Sequence, residues 1–268
     1  MKSFIKGAVE KLGYEIRKIR PPIVPINIRP MVLVHRVETR KSTSPFFFMQ
    51  IGAHDGSLYD PIRQFVTKYH WHGILVEPQP KVFARLVENY RTEPQLIFEN
   101  VALGKEDGEA ILYAFKPGDG VPHEVSMLAS FNREALTGNA FGYHGDIDEL
   151  RVPTMTAGGL LSKHGVTELD LLMIDTEGFD YEVVKMFMNT GIRPAIICYE
   201  SACLAKDDFF ECIEFLTSKK YRVLTIGVDT IACRDEDDDD DSFRMTTEAL
   251  RDKVQKDLAL GHNSTRAF

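Results

Sequence analysis

At 268 residues, 44% hydrophobic and 27% charged, the chain is long enough for one large α/β domain and has the composition of an ordinary globular protein. Its formal net charge of −8 argues against a nucleic-acid partner, because neutralising phosphates takes clustered Lys and Arg. The four cysteines, Cys198, Cys203, Cys212 and Cys233, form no C-x-x-C pair and read as buried free thiols suited to a reducing cytoplasm.

From the start of the chain, Phe4, Ile5, Val9, Leu12, Ile16 and Ile19 fall near one helical face, ringed by Lys2, Lys6, Lys11, Arg17, Lys18 and Arg20. Such a face suits peripheral contact with an anionic membrane, or packing on the domain or on a second copy of the chain; the lack of Trp weighs toward packing. No apolar stretch reaches the roughly twenty residues that span a bilayer, and no signal-peptide pattern opens the chain. Pro21, Pro22, Pro25 and Pro30 mark a stiff linker, so residues 1–30 are set apart from a domain over 31–234.

The run Phe46 to Ile51 is short, continuous and aromatic-rich, as expected of a strand covered on both faces. It breaks into Gly52-Ala53-His54-Asp55-Gly56, a turn whose glycines let the backbone approach a ligand. Asp60 and Pro61 then suit the start of a helix. About twenty residues beyond the turn, a second apolar run, Gly73 to Val76, ends in Glu77 and Pro78, where a nucleoside-binding sheet places a ribose-gripping carboxylate. A lone Glu there would more often cap a surface turn; the preceding glycine turn tips the balance. The dinucleotide fingerprint G-x-G-x-x-G is missing, which disfavours nicotinamide and flavin cofactors.

Val82, Phe83, Leu86, Val87 and Tyr90 recur at helical spacing, and Leu96 to Phe98 leads to Asn100 as a third strand, so parallel strands with helical crossovers are expected. Glu109 to Phe115 alternates like a strand. Lys116 to Leu150 shows little periodicity and reads as a long loop, an acceptor-binding lid in which His123, Tyr143 and His144 are candidate contacts. The two histidines are also candidate acid–base catalysts, though any one of the three is more commonly a solvated loop residue. Leu169 to Ile174 ends in Asp175, Thr176, Glu177 and Gly178 before a helix bearing Tyr181, Val184, Phe187 and Met188. A fifth strand, Ala195 to Tyr199, ends in Glu200. Ligands of open α/β sheets bind outside the carboxyl ends of the strands, so Gly52, Glu77, Asp175 and Glu200 should border one cleft. A helix over Asp207 to Ser218 and strands over Tyr221 to Ile226 and Thr230 to Cys233 follow. The run Asp235 to Asp241 lacks the spacers and glycine of a calcium loop and reads as a solvated linker in a tail, 235–268, that closes with a helix.

QIGAHDG, LVEPQPKVFARL, NVALG and IDTEGFD, four motifs in order, resemble the FkbM family of S-adenosylmethionine-dependent methyltransferases over roughly Phe46 to Cys233. The resemblance implies a Rossmann-like, doubly wound sheet of seven strands whose last runs antiparallel. It implies O-methylation of a sugar, glycan, glycolipid or polyketide-like small molecule and leaves the acceptor open. It also implies that Gly52, Ala53, His54, Asp55, Gly56, Glu77, Pro78 and Asp175 hold the cofactor, with Asn100 and Ala102 beside adenine. SMLASF resembles a Ser/Phe segment of the family, which makes Ser126 and Phe131 substrate contacts alongside Tyr143 and Glu200. Met173 stands where many members carry Lys, and His54 where Asn is common.

Removing a hydroxyl proton needs a base or a metal-lowered pKa. Asp175 is the first candidate base, with Glu200 beside it; Mg²⁺ held by those two carboxylates is an alternative by analogy with other methyltransferases. Glu177 is expected to accept backbone hydrogen bonds at the following helix start. Two other classes stay open: a non-catalytic, S-adenosylmethionine-binding scaffold subunit of a glycan-assembly complex, and a nucleotide-sugar or nicotinamide enzyme on a similar sheet. Association into a homo-oligomer is compatible with either.

Overall fold

The computed structural model describes residues 45–234, except Leu58, Tyr59, Pro117, Asp119, His123, Glu124, Met127, Ala140 and Phe141. The amphipathic arm, the proline-rich linker, the acidic run, the closing helix and His123 therefore lie outside the described residues.

The main sheet has seven strands: β1 (Phe47–Ile51), β2 (His72–Val76), β3 (Leu96–Glu99), β8 (Leu171–Ile174), β9 (Ile196–Glu200), β10 (Tyr221–Ile226) and β11 (Asp229–Arg234). Their spatial order is β10-β11-β9-β8-β1-β2-β3. The five strands from β9 to β3 pair in parallel, and β11 runs antiparallel to both neighbours. This is the doubly wound sheet, last strand reversed, that the resemblance implied. The parallel strands are continuous apolar runs because the crossover helices cover both faces. Those helices are α1 (Arg63–Tyr69), α2 (Pro80–Asn89), α4 (Ala157–Lys163), α5 (Asp180–Asn189) and α6 (Lys206–Ser218). One core joins Met49, Leu172 and Ile197 of the sheet to Leu160, Val184, Phe187 and Leu216 of the helices, each side chain stabilising by about 1.5–3 kcal/mol on burial.

Two expectations need correction. The helix after the glycine turn begins at Arg63, not at Asp60 and Pro61. Asp60 instead holds the preceding turn: its carboxylate accepts the Ile62 N–H at 3.0 Å and the Tyr90 hydroxyl at 2.6 Å. The segment read as a long loop, Lys116 to Leu150, also carries regular elements. Between β3 and β8 lies a second sheet, order β4-β7-β5-β6, made of β4 (Ala102–Leu103), β5 (Gly108–Phe115), β6 (Ala129–Ser130) and β7 (Ile147–Met155), with α3 (Arg133–Asn139) beside it. Strand β7 pairs antiparallel with β5 from Gly108↔Thr154 to Phe115↔Ile147. Its sequence hides this because Val152 alone of its nine residues is buried and Pro153 interrupts the pattern.

Cys198, Cys212 and Cys233 are buried and Cys203 is partly buried; all four are free thiols. Among the described residues, no helix is long and apolar enough to cross a membrane.

Candidate functional site

The site grows from the point where β1 and β8 end side by side. Gly52 has φ +81°, and a Cβ on it would lie 1.8 Å from the Asp175 carbonyl oxygen, so the two strand ends meet only because residue 52 has no side chain. The Asp175 N–H donates to the Ile51 carbonyl at 2.9 Å, and the Gly52 and Ala53 N–H groups both donate to the Val76 carbonyl at 3.0 Å. These bonds lock the turn between the ends of β2 and β8.

Glu77, at the end of β2, is 3% exposed. One carboxylate oxygen accepts the His54 N–H at 3.0 Å and the other the Gln79 N–H at 2.8 Å. The carboxylate offers about four lone-pair sites, and the two amides together with the Gln79 side chain leave room for a ligand hydroxyl. Burial pushes the Glu77 carboxyl up to about 7, against the pull of the Gln79 and His54 amides. A carboxyl with a raised folded pKa contributes stability that is complete below its unfolded value of 4.5 and is lost as pH rises through about 7. The melting temperature of the ligand-free protein should therefore fall from about pH 5 to about pH 8, and fall less in Glu77→Gln. Equal slopes for the two proteins would show Glu77 ionised throughout that range.

The far half of the glycine turn is anchored away from the cleft. Arg63 donates to the carbonyls of Gly56 and Asn89 and lies over the Tyr90 ring, 4.6 Å from its centroid. The Asn89 amide donates to the Asp55 carbonyl at 2.8 Å.

Across from Glu77, the turn Asp175–Phe179 forms the second wall. Glu177 has φ +53° and Gly178 φ +100°. The Ser130 hydroxyl donates to the Glu177 carbonyl at 3.2 Å, tying this turn to the second sheet. Phe131 and Phe179 meet edge to face with centroids 5.3 Å apart. The cleft between the walls holds about 730 Å³ of empty space, part of it open solvent. Its lining is mainly apolar, with the carboxylates Glu77, Asp175 and Glu177, one histidine, His54, and no Lys or Arg among the described lining residues.

Of the residues expected here, Gly52, His54, Glu77, Pro78, Ala102, Asp175 and Phe131 line the cleft. Ala53, Asp55 and Gly56 belong to the turn but not to the lining of the cleft. Asn100 is placed to one side: its amide donates to the Glu77 carbonyl at 2.7 Å and the Pro78 carbonyl at 3.1 Å, bracing the turn that carries the ribose candidate. Ser126 is in a separate turn, its N–H donating to the Pro122 carbonyl at 3.0 Å. Tyr143 packs edge-on against Phe115 at 5.3 Å, and His144 is exposed; neither lines the cleft. Glu200 also stands outside the lining.

Glu200 is grouped instead with Glu177 and Cys203, whose ligand atoms lie within 4.8 Å of one another. The Cys203 thiol is pushed far up by burial and by the Glu200 and Glu177 charges. One thiol and two carboxylates suit a softer ion than Mg²⁺, which takes oxygen ligands.

Sequence reasoning overlooked Asp180, the last residue of IDTEGFD. It is fully buried, and its Oδ2 accepts the Thr176 and Gly178 N–H groups, the role expected of Glu177. Burial pushes its carboxyl up to about 7; the Thr176 hydroxyl bond opposes this and the Glu200 charge adds to it.

A family model described as the methyltransferase FkbM domain matches residues 50–223. Three solved structures are among those similar to the chain. Methyltransferase FkbM from Methylobacillus flagellatus KT is 10% identical over 72% of this chain and 44% of that one, with a TM-score of 0.46. Precorrin-6y C5,15-methyltransferase from Geobacter metallireducens GS-15 is 11% identical over 82% and 94%, TM-score 0.42. The human methyltransferase 10 domain containing protein is 12% identical over 87% and 98%, TM-score 0.40. None of the curated proteins matches the chain.

Proposed function

The chain belongs to the FkbM methyltransferase family, and from that premise we propose that it moves the methyl group of S-adenosylmethionine to a hydroxyl of an uncharged acceptor, a sugar, glycan or glycolipid. The observation that carries this reading is the pairing of walls in one cleft: the amide-held carboxylate of Glu77 on one side and the exposed carboxylate of Asp175 on the other.

The first wall fits a nucleoside. The acceptor capacity left on Glu77 suits a ribose hydroxyl, the bare Gly52 backbone permits close approach, and Val76, Val101 and Leu103 offer apolar contact for a flat base. The sulfonium supplies an electrophilic methyl carbon and a good leaving group. The chain's part is to hold an acceptor oxygen in line behind that carbon, which supplies much of the rate, and to take the hydroxyl proton. Asp175, on the second wall, is assigned the proton, without a metal. The carboxylates, with no Lys or Arg among the described lining residues, favour a neutral acceptor, since a phosphate or carboxylate would meet like charge on this wall. Phe131 and Phe179 offer an apolar platform to the face of a ring.

The test is transfer of labelled methyl from S-adenosylmethionine to a panel of neutral glycosides and glycolipids, matched against their phosphorylated counterparts. Label should enter neutral members of the panel and spare the phosphorylated ones. Preferential labelling of the phosphorylated set would overturn the assignment of an uncharged acceptor.

A further inference from the structure

We propose that Asp180 is a positioning residue for the cleft, holding the left-handed Thr176–Gly178 turn so that Asp175 and Glu177 keep their places in the wall. The proposal rests on the methyltransferase reading of that cleft.

Three bonds converge on one oxygen. Asp180 Oδ2 accepts the Thr176 hydroxyl at 2.9 Å, the Gly178 N–H at 3.3 Å and the Thr176 N–H at 3.4 Å. The two amides flank Glu177, a residue with a side chain at φ +53°, where such residues are strained by of order 1 kcal/mol or more and persist only when the surroundings hold them. Gly178, at φ +100°, would place a Cβ 3.1 Å from the Cys203 carbonyl oxygen, so the turn has little room to relax on that side. The Ser130 hydroxyl takes hold of the Glu177 carbonyl from the other side. Asp180 thus closes the turn from beneath while the second sheet closes it from above.

The carboxylate is also costly where it sits. It is 0% exposed, and its Oδ1 has no hydrogen-bond partner. Burying a polar atom unpaired is unfavourable, and the cap position of the helix is Phe179, so the bonds of the carboxylate go to the turn before the helix. A group kept under those conditions is better explained by the turn it holds. Because burial favours the protonated form, an amide is a near-isosteric replacement that still offers one oxygen to the same three donors.

The experiment compares wild type, Asp180→Ala and Asp180→Asn by amide hydrogen exchange and by calorimetric binding of S-adenosylhomocysteine. In Asp180→Ala, exchange at Thr176 and Gly178 should accelerate about tenfold or more while the amides of β1 and β8 keep their protection, a local opening and not a global one. S-adenosylhomocysteine should bind about tenfold more weakly to Asp180→Ala, and Asp180→Asn should restore both readouts to within about threefold of wild type. Acceleration spread evenly over the whole sheet, or an asparagine variant as impaired as the alanine one, would overturn the proposal. Should Asp180→Ala fail to fold, Thr176→Val decides. It removes one donor and keeps the shape, and faster exchange at Gly178 relative to Thr176→Ser supports the assignment, whereas unchanged exchange rejects it. A wild-type protein that does not bind S-adenosylhomocysteine refutes the methyltransferase reading, and the exchange comparison still decides what Asp180 does.

Discussion

Asp175→Asn should lose methyl transfer by about 10²- to 10⁴-fold, the range supplied by a positioned general base, while binding S-adenosylhomocysteine to within about threefold of wild type. The backbone of Asp175 is fixed by its N–H bond to Ile51, and its carbonyl is the atom that Gly52 accommodates, so the substitution leaves the strand junction intact. Its side chain is exposed and lines the cleft, where an acceptor would be held. Asparagine keeps the shape and removes the ability to take a proton at neutral pH. Turnover of Asp175→Asn equal to wild type would remove Asp175 from the chemistry and turn attention to Glu177, the other carboxylate on that wall. Equal losses in turnover and in binding would make Asp175 a cofactor contact alone.

Gly52→Ala should abolish binding of S-adenosyl compounds and lower stability by about 3 kcal/mol or more, by the combination of overpacking and a backbone conformation hostile to a side chain. The added Cβ would sit 1.8 Å from a backbone oxygen, and no side-chain rotation relieves that contact. Relief requires parting β1 from β8, which are paired along their length in the centre of the sheet. Because the residue also has φ +81°, alanine is strained there even after such a shift. Circular dichroism melts and calorimetry on the same preparation separate the two losses. A Gly52→Ala protein that melts like wild type and binds S-adenosylhomocysteine normally would mean that the strand ends are not held at this spacing.

The first half of the site was legible because its signals are local. A continuous apolar strand that breaks at Gly52, and a second that breaks at Glu77, declare their positions through chain order alone, and parallel pairing brings the two ends together. The second wall was legible only in part. Phe131 was found through a short motif, but its partner Phe179 lies 48 residues on and meets it only when the two sheets close. Strand β7 escaped notice because a strand with one fully buried residue has almost no period to read. Tyr143, expected at the acceptor, packs instead on a satellite core around Phe115, Val125, Leu128 and Leu136, while His144 beside it is exposed. Glu200 sits at a strand end as expected, and its neighbours Glu177 and Cys203 come from turns whose approach no local pattern announces. Asp180 was invisible for a different reason, since a carboxylate that serves the turn just before it has the same sequence pattern as one that favours a helix start by charge.

The most direct measurement is the shift in melting temperature produced by S-adenosylmethionine, S-adenosylhomocysteine, NAD and a UDP-sugar, in wild type and in Glu77→Ala, because a ligand that binds only the native state raises the midpoint. The two S-adenosyl compounds alone should stabilise wild type, and Glu77→Ala should lose that response. Stabilisation by NAD or the UDP-sugar, with none from either S-adenosyl compound, would contradict the assignment of the cleft to a methyl donor.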